Sequence, residues 1–363
     1  MAATPKSPSI PARYVLKHAA GAGSFGGVDI YTDKFLKRDV AIKTVKATAG
    51  IAGHAQLENE ILRLSAVRSK HVVELYDVIW DSSGKVAGMI MEYIAGASLD
   101  EFHKDPFDLA KYLRTIFQIA RGLADIHEKQ LVHRDIKLEN MKVSKERVVK
   151  LFDFGLTTEH GKHVTSASMG TQVYRAPEMY SPPITVNQEV DTYAFGICCW
   201  TLVKEMKSLP KVLGEIPPQN SALAPSLKTI LNLDPSLCAV LDACIKVDPA
   251  MRPSMTEVAS AIEAELLRGQ HSALLIYQGA PIELNATKKE AKLERKGIAS
   301  AVVRYDGLRF TLHDPKGDIY VNNIRATSNV ELTGACVITL GDAEMGAFRD
   351  FIEFDISHPE VVL

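Results

Sequence analysis

No stretch of this 363-residue sequence approaches the run of about eighteen apolar residues that a membrane-spanning helix requires. The first residues are prolines and small polar side chains rather than the apolar core of a signal peptide, so we expect a cytoplasmic protein without membrane insertion. An excess of one charge is also lacking, because 42 basic and 44 acidic side chains leave a net charge of -2. This balance argues against a nucleic-acid partner, since phosphate backbones attract cationic surfaces.

Cysteine is scarce, with five residues in the chain. Their spacing matches no zinc site, and an odd number leaves one thiol unpaired in any disulfide scheme. We therefore expect reduced thiols in a reducing compartment. Cys198 and Cys199 stand beside Trp200 in an apolar run, which is typical of core positions. The apolar content of 46% supplies core material for two or three lobes.

Two runs near the middle of the chain concentrate polar chemistry: HRDIKLEN at 133–140 and DFG at 153–155. Phosphoryl transfer spreads negative charge over phosphoryl oxygens, so a protein must orient a hydroxyl, hold Mg²⁺ and bring cations to the phosphates. Asp135 is a candidate acceptor of the hydroxyl proton, and Lys137 is a candidate cation beside the transferred group. Asn140 and Asp153 carry the oxygen ligands that Mg²⁺ prefers. The two runs therefore indicate phosphoryl transfer.

The same runs resemble the H-R-D-x-K-x-x-N and D-F-G motifs of the eukaryotic-type (Hanks-type) protein kinases. The resemblance implies an α+β class, a bilobal kinase fold, ATP with Mg²⁺ (Mn²⁺ as an alternative) and protein substrates. It divides the chain into a disordered tail at 1–12, a β-rich N-lobe at 13–94 and a helical C-lobe at 95–269. Residues 270–363 follow as a separate all-β domain.

The segment GAGSFGGV at 21–28 lies between β-rich segments, and no helix follows it, which argues against a dinucleotide-binding turn. A strand, VAIK, then ends at Lys43, as in the kinases, where this lysine holds the α- and β-phosphates. A buried ammonium needs a partner. Glu60 is preferred over Glu58, because Leu64 one turn later then packs inward. The resemblance implies nucleotide contacts in this loop at Gly21, Gly23, Ser24, Phe25 and Gly26.

Two strands at 72–78 and 86–91, joined by a turn at 81–84, are predicted to complete the small sheet. The following EYIAG resembles the kinase hinge, which implies adenine hydrogen bonds from the backbone of Glu92 and Ile94. Met91 would then guard the back of the pocket, with Val28 and Ala41 against the base. Lys142 departs from the family, which places an aliphatic residue there. Its stem could serve as an apolar floor, or a register shift could put Met141 or Val143 in that place.

Helical periods predict helices at 109–129, 231–247 and 256–267. The run from Asp153 to the APE motif at 176–178 resembles an activation segment. Arg134 lacks a local carboxylate, and a phosphate on this segment would supply a bidentate partner. We therefore predict autophosphorylation, with Thr165 favoured over Ser166 and Ser168. The alternative is that Arg134 pairs with carbonyls and the hydroxyls are a polar loop.

The pair of Lys137 and Thr171 resembles the serine/threonine branch of the family, where the lysine reaches the phosphate and the threonine supports the aspartate. By the same resemblance Asp191 anchors the backbone of the catalytic loop, and Arg252 pairs with Glu178. An active kinase is the leading hypothesis. The alternative is a pseudokinase scaffold, which Lys142 and the altered C-terminal domain keep open. The sequence near the hinge looks more like bacterial members of the family.

Six strands or so at short spacing follow residue 270, with Asp306-Gly307 as a hairpin turn, and predict a β-sandwich. The pattern around Asp314, Gly317 and 320–323 resembles a forkhead-associated domain. That family reads phosphothreonine through an arginine and a serine that are not in register here. We therefore expect a degenerate sandwich for regulation or docking, with a protein partner, rather than a phosphopeptide reader.

Overall fold

The computed structural model describes residues 10–22, 26–45, 50–164, 172–181, 183–203, 209–218, 220–357, 359 and 361. Contacts divide the chain into two compact units, Met1–Ile262 and Glu263–Val362. The division falls inside the helix that closes the first unit, rather than at the predicted 269/270 boundary. The reason is local, because Gly269 donates a backbone hydrogen bond to the carbonyl of Gly307 at 2.7 Å. Both of these residues belong to the second unit.

The first unit begins with a five-stranded antiparallel sheet in the order β1-β2-β3-β5-β4. One helix, α1 (Gly50–Ala66), packs on it, because Leu57, Glu60, Ile61 and Leu64 recur at helical spacing and are all buried. The strands are β1 (Tyr14–Ala22), β2 (Gly26–Asp33), β3 (Arg38–Val45), β4 (Leu75–Trp80) and β5 (Val86–Glu92). The strand predicted at 72–78 thus begins later, at Leu75.

In the described residues after the sheet, the longer helices of this unit are α2 (Leu109–Glu128), α3 (Glu189–Val203), α4 (Pro235–Ala243) and α5 (Met255–Leu266). Helix α3 is apolar on all sides and buried, with Cys198, Cys199 and Trp200 at most 1% exposed. Helix α4 is shorter than the predicted 231–247, because Asp234 caps it by accepting from the amide of Ser236 at 2.8 Å. Among the described helices, none is long and apolar enough to cross a membrane.

Short strands between the helices carry the loops of the site. They are β6 (Leu131–Val132), β7 (Met141–Val143), β8 (Val149–Leu151), β9 (Thr158–Glu159), β10 (Lys162–Val164) and β11 (Ile184–Val186). Pairs β6-β9, β7-β8 and β10-β11 each form a two-stranded ladder. The first two ladders hold the HRDIKLEN and DFG runs between them.

The second unit contains two antiparallel sheets, in the orders β13-β12-β21-β20-β17-β18 and β14-β15-β16-β19. Both sheets contribute to one cluster of buried side chains, in which the ring of Phe310 lies 5.8 Å from that of Phe354. The strands are β12 (Ser272–Tyr277), β13 (Ala280–Leu284), β14 (Glu290–Arg295), β15 (Ala299–Tyr305), β16 (Phe310–Lys316), β17 (Ile319–Val321), β18 (Ile324–Arg325), β19 (Val330–Glu331), β20 (Cys336–Leu340) and β21 (Asp350–Ser357).

More strands form in this unit than the sequence predicts, and β14 shows why. Its sequence, EAKLER, is rich in good helix formers, so local preference argues against a strand. In the fold, Ala291 and Leu293 point into the shared core, and the strand pairs with β15 along its length. Tertiary packing therefore overrides local propensity here.

Candidate active site

Lys43 on β3 and Glu60 on α1 form a buried ion pair. The lysine Nζ lies 2.7 Å from Oε1 and 2.9 Å from Oε2 of Glu60. Glu58, two residues earlier on the same helix, is exposed. The structure therefore brings together Lys43 and Glu60, the partner that the sequence favours.

Burial and neighbouring charges shift the pKa values of this pair in opposite directions. Burial alone would lower the pKa of Lys43, but the charges of Glu60 and Asp153 outweigh it and raise that pKa. Burial raises the pKa of Glu60, and Lys43 opposes that rise. Lys43 is therefore held as an ammonium ion, and the carboxylate of Glu60 on α1 balances its charge.

Asp153 faces the same lysine from the DFG run. Its Oδ1 lies 3.5 Å from the Nζ of Lys43, and 46% of its side chain is exposed. The next residue, Phe154, is buried, and its ring centroid lies 4.9 Å from that of His133. Asp153 itself has a positive φ of 66°. The buried ring and the backbone turn together direct the carboxylate toward the open side.

A second polar cluster lies on the loop after β6. The Nζ of Lys137 is 2.8 Å from Oδ2 of Asp135, and the amide nitrogen of Asn140 donates to the same oxygen at 2.8 Å. Asn140 also donates to the backbone carbonyl of Asp135 at 2.9 Å. The amide of Phe152 donates to the carbonyl of Asn140 at 3.1 Å, which places the DFG run beside this loop.

Asp191, at the start of α3, supports the loop from beneath. Its carboxylate accepts from the backbone amides of His133 at 2.7 Å and Arg134 at 2.8 Å. His127, on α2, lies with its Nε2 at 3.0 Å from the same carboxylate. Sequence reasoning missed His127, because its only signal is a polar residue on the buried face of α2.

A bidentate ion pair joins the APE motif to the end of the helical part. The two Nη atoms of Arg252 lie 2.7 and 2.9 Å from the carboxylate oxygens of Glu178. The arginine side chain is fully buried and also donates to backbone carbonyls of Lys246, Val247 and Glu189. The pair therefore ties two distant segments of the chain.

The residues predicted to enclose a nucleotide lie on the sheet and the segment after β5. Ala41 on β3 is directly opposite Met91 on β5, and Val28 on β2 is opposite Lys43. Ile94 is buried. Gly21 and Gly26 lie at the facing ends of β1 and β2, whereas Gly23, Ser24 and Phe25 are outside the described residues.

The Glu92 side chain has a partner that the sequence did not indicate. Its Oε2 lies 2.8 Å from the Nζ of Lys150 on β8. Gly96 then passes so close to β7 that a Cβ there would lie 1.5 Å from the carbonyl oxygen of Val143. The segment after β5 is therefore fastened to the strands beneath it.

Comparison with known families agrees with this geometry. Residues 14–261 match the model of the protein kinase domain. The chain belongs to the protein kinase family. Two curated relatives of this kinase domain are serine/threonine-protein kinases: a probable one from Dictyostelium discoideum, and STY17 from Arabidopsis thaliana.

Each relative is similar to part of the chain. The Dictyostelium protein is 33% identical over 208 residues, which cover 52% of this chain and 29% of that protein. The Arabidopsis protein is 25% identical over 266 residues, which cover 70% of this chain and 44% of that protein. The chain thus spans less than half the length of either relative.

The kinase domain departs from the family pattern at Lys142. Met141 is fully buried, so it faces the core, while Lys142 is half-buried and its Nζ lies 6.0 Å from the centroid of the Phe152 ring. Val143 is half-buried as well, and its backbone amide donates a hydrogen bond to the carbonyl of Ala97. Which of Lys142, Met141 and Val143 forms the floor beneath the base stays a prediction.

Arg134 is a partly buried cation with few hydrogen bonds in the part of the chain that the structure describes. Burial lowers its pKa, Asp191 opposes that change, and Arg63 lowers the pKa further. Within the described residues its Nε is buried without a hydrogen-bond partner, and Nη1 makes one long contact of 3.4 Å to the carbonyl of Leu156. The candidate phosphorylation sites Thr165, Ser166 and Ser168, and also Thr171, lie outside the described residues.

Metal binding would rest on few protein atoms. Among the described residues, no group of three His, Cys, Asp or Glu side chains gathers. Mg²⁺ is commonly held by one or two protein oxygens together with phosphates and water. Asn140 uses its amide nitrogen in its bonds to Asp135, and Asp153 is partly exposed, so the donor chemistry of these two residues fits such an ion.

Proposed function

We propose that this chain is an ATP-dependent protein kinase that phosphorylates serine and threonine hydroxyls of proteins. The observation that carries the proposal is the Lys43–Glu60 ion pair facing Asp153, beside a loop on which Asp135 contacts both Lys137 and Asn140. The names of the two relatives support the serine/threonine branch.

Each side chain has a role that follows from its contacts. The carboxylate of Asp135 is held by Lys137 and Asn140, so it is oriented to accept the proton of a substrate hydroxyl. Lys43, kept charged by Glu60, binds phosphate oxygens. Asn140 and Asp153 would hold a metal ion such as Mg²⁺. When bound, ATP would supply the phosphoryl group and the metal ion would neutralise part of the phosphate charge.

The proposal includes autophosphorylation between Thr157 and Thr171. It is supported by Arg134, a partly buried guanidinium beside another cation, Arg63, with few hydrogen bonds of its own in the described residues. A phosphate would add two negative charges and several acceptor oxygens, which suits a guanidinium better than a neutral hydroxyl does. Thr165 remains the favoured acceptor over Ser166 and Ser168.

We further propose that the C-terminal β-rich unit is a degenerate forkhead-associated-like sandwich that serves regulation or docking in the cytoplasm. Two antiparallel sheets with one shared core support the sandwich. In this chain Ala299-Ser300 is not followed by the arginine and histidine that are usual in that family. Phosphothreonine binding is therefore not part of the proposal.

The test is transfer of labelled phosphate from ATP to casein by the wild type, Asp135→Asn and Lys43→Met. We expect losses of about 100-fold or more, since general-base catalysis contributes about 10² to 10⁴. Lys85→Met, at an exposed lysine after the β4–β5 turn, is the matched control and should keep full activity. Equal labelling in all four proteins would end the enzyme proposal and favour a scaffold, for which Lys142 is the supporting departure.

Autophosphorylation is tested by intact mass and peptide mapping after incubation with ATP and Mg²⁺. We expect phosphate between Thr157 and Thr171 in the wild type and none in Asp135→Asn. Phosphate that is confined to other segments would refute this part of the proposal while leaving transfer to casein unaffected.

A further inference from the structure

The outer face of the six-stranded sheet in the second unit carries large apolar side chains. Alternation along each strand turns Leu274 and Ile276 of β12, Val337 of β20 and Phe351 of β21 away from the core. Their exposed fractions are 45%, 38%, 37% and 49%. Leu274 and Ile276 are neighbours on one face of β12, and grouped apolar side chains on an exposed sheet mark a binding surface more often than isolated ones do.

Strand register sets carboxylates between these apolar side chains. Glu353 is paired on one side with Ile276 and on the other with Val337. One row away, Leu274 is paired with Asp355 on one side and with Glu283 on the other. Within each of these two rows, aliphatic and acidic side chains thus alternate across three strands. We call the surface formed by these residues and Phe351 the apolar-acidic face.

These carboxylates are exposed, and within the described residues none of Glu283, Glu353 and Asp355 forms an ion pair. Asp355 accepts only from the amide of the next residue, and Glu283 accepts from the side chain of Asn285. Ion pairs therefore do not neutralise these three carboxylates within the described residues, although the guanidinium of Arg349 lies 5.4 Å from the centroid of the Phe351 ring. Such a surface attracts cations from outside the unit.

The outer face of the other sheet is an internal comparison. There Arg304 lies 2.9 Å from Glu290 and 3.4 Å from Asp314, and Lys292 lies 2.6 Å from Glu294. Charges of both signs alternate and pair, as on an ordinary solvated sheet. The same unit thus has one face with balanced charge and one face with apolar and unbalanced acidic side chains.

We propose that the apolar-acidic face docks a protein segment in which lysine or arginine alternates with apolar side chains. Covering the aliphatic side chains also buries the carboxylates, and a buried carboxylate is costly unless a cation pairs with it. A wholly apolar partner would bury the carboxylates without a cation to pair with them. A second copy of the chain brings the same carboxylates and adds like-charge repulsion. In a basic, alternating segment, the cations pair with the carboxylates of the face and the apolar side chains cover its aliphatic side chains.

This inference rests on the docking role that the proposed function gives to the second unit, and it specifies the surface and the chemistry of the partner. Phosphate transfer to casein is measured on the same proteins, so the two proposals fail separately. Absence of transfer in the wild type counts against the kinase proposal, whereas the peptide binding described next concerns the face alone.

The probe is a fluorescent ten-residue peptide of alternating lysine and valine, titrated into the full chain and followed by anisotropy. The lysine-acetylated peptide is the control for charge. We expect binding of the lysine peptide only, with weakening as sodium chloride rises from about 50 to about 300 mM. Hydrogen exchange should slow in β12, β20 and β21 on binding.

Two matched variants locate the site. Glu353→Lys should weaken binding about tenfold or more, because it replaces a central carboxylate with a like charge. Glu294→Lys, on the balanced face, should change affinity less than twofold. Thermal denaturation checks folding, and Glu353→Gln replaces the reversal if that variant does not fold.

The proposal is overturned if neither peptide binds, if both variants weaken binding equally, or if exchange slows elsewhere in the chain. It is also overturned if sedimentation detects a dimer of the full chain that Glu353→Lys dissociates, since the occupant would then be a second copy.

Discussion

Replacing Glu60 with glutamine removes one charge from the buried pair while keeping the shape of the side chain. The carboxylate contacts Lys43 through both oxygens, and only 4% of the Glu60 side chain and 17% of the Lys43 side chain are exposed. Breaking a buried pair by removing one partner costs about 3–5 kcal/mol, because the other charge stays buried. Asp153, 3.5 Å from Lys43, supplies partial compensation.

We therefore expect the low end of that range, about 3 kcal/mol of unfolding free energy. For a domain of this size, each kcal/mol corresponds to roughly 2–4 °C in melting temperature, so Glu60→Gln should melt roughly 6–12 °C lower. Because Lys43 loses the group that orients it, kcat/KM for phosphate transfer should fall about 100-fold. Melting is followed by circular dichroism, and transfer is followed by steady-state kinetics.

Glu58→Gln is the matched control, because Glu58 is an exposed residue of the same helix. It should change the unfolding free energy by no more than about 0.5 kcal/mol and leave activity unchanged. Equal effects of the two glutamine substitutions would refute the reasoning.

The double variant Lys43→Met with Glu60→Leu separates stability from chemistry. An apolar pair of similar volume removes the buried charges, so it should be more stable than Glu60→Gln and yet fail to transfer phosphate. A double variant that is less stable than Glu60→Gln would show that the buried charge is not the source of the loss.

Two further predictions concern the nucleotide site and pH. Lys142→Leu should tighten ATP binding by about 1 kcal/mol, roughly fivefold in the dissociation constant measured by calorimetry, because an aliphatic side chain beneath the base has no ammonium group to desolvate. The exposed Lys145→Leu is the control. Unchanged affinity in Lys142→Leu would contradict the placement of Lys142 beneath the base. Burial lowers the pKa of His71 from 6.5 to about 4. The unfolded state then binds a proton that the folded state does not, so stability is full above pH 6.5 and falls by about 1.4 kcal/mol per unit from pH 6.5 to 4. In His71→Gln, the unfolding free energy measured by urea denaturation should depend less steeply on pH over this window, whereas His160→Gln should leave that dependence unchanged. An identical pH slope in both variants would disprove the role of His71.

Much of the kinase domain follows from the sequence. Lys43, Asp135, Asn140 and Asp153 stand in chain order in motifs whose residue types suit phosphoryl transfer. The sequence predicts the end of helix α2 to within one residue, because the apolar period of this helix is regular. Local periodicity and side-chain chemistry are properties that a sequence carries by itself.

Other features depend on contacts between distant segments. The start of α4 is set by its cap rather than by apolar period, and β14 is a strand because the core accepts Ala291 and Leu293. His127 becomes part of the site only when α2 and α3 bring it to Asp191. Sequence spacing does not reveal such pairs, because the distance along the chain is unrelated to the distance in space.

The sequence by itself predicted which groups supply positive charge, accept a proton and hold a metal ion, and it determined that the chain changes from helical to strand patterns near residue 270. The tertiary structure decided which glutamate holds Lys43, which way Met141 and Lys142 face, and that Glu353 lies between Ile276 and Val337. The physical reason is register. Residue types set what a side chain can do, whereas strand pairing and helix packing set which side chains meet.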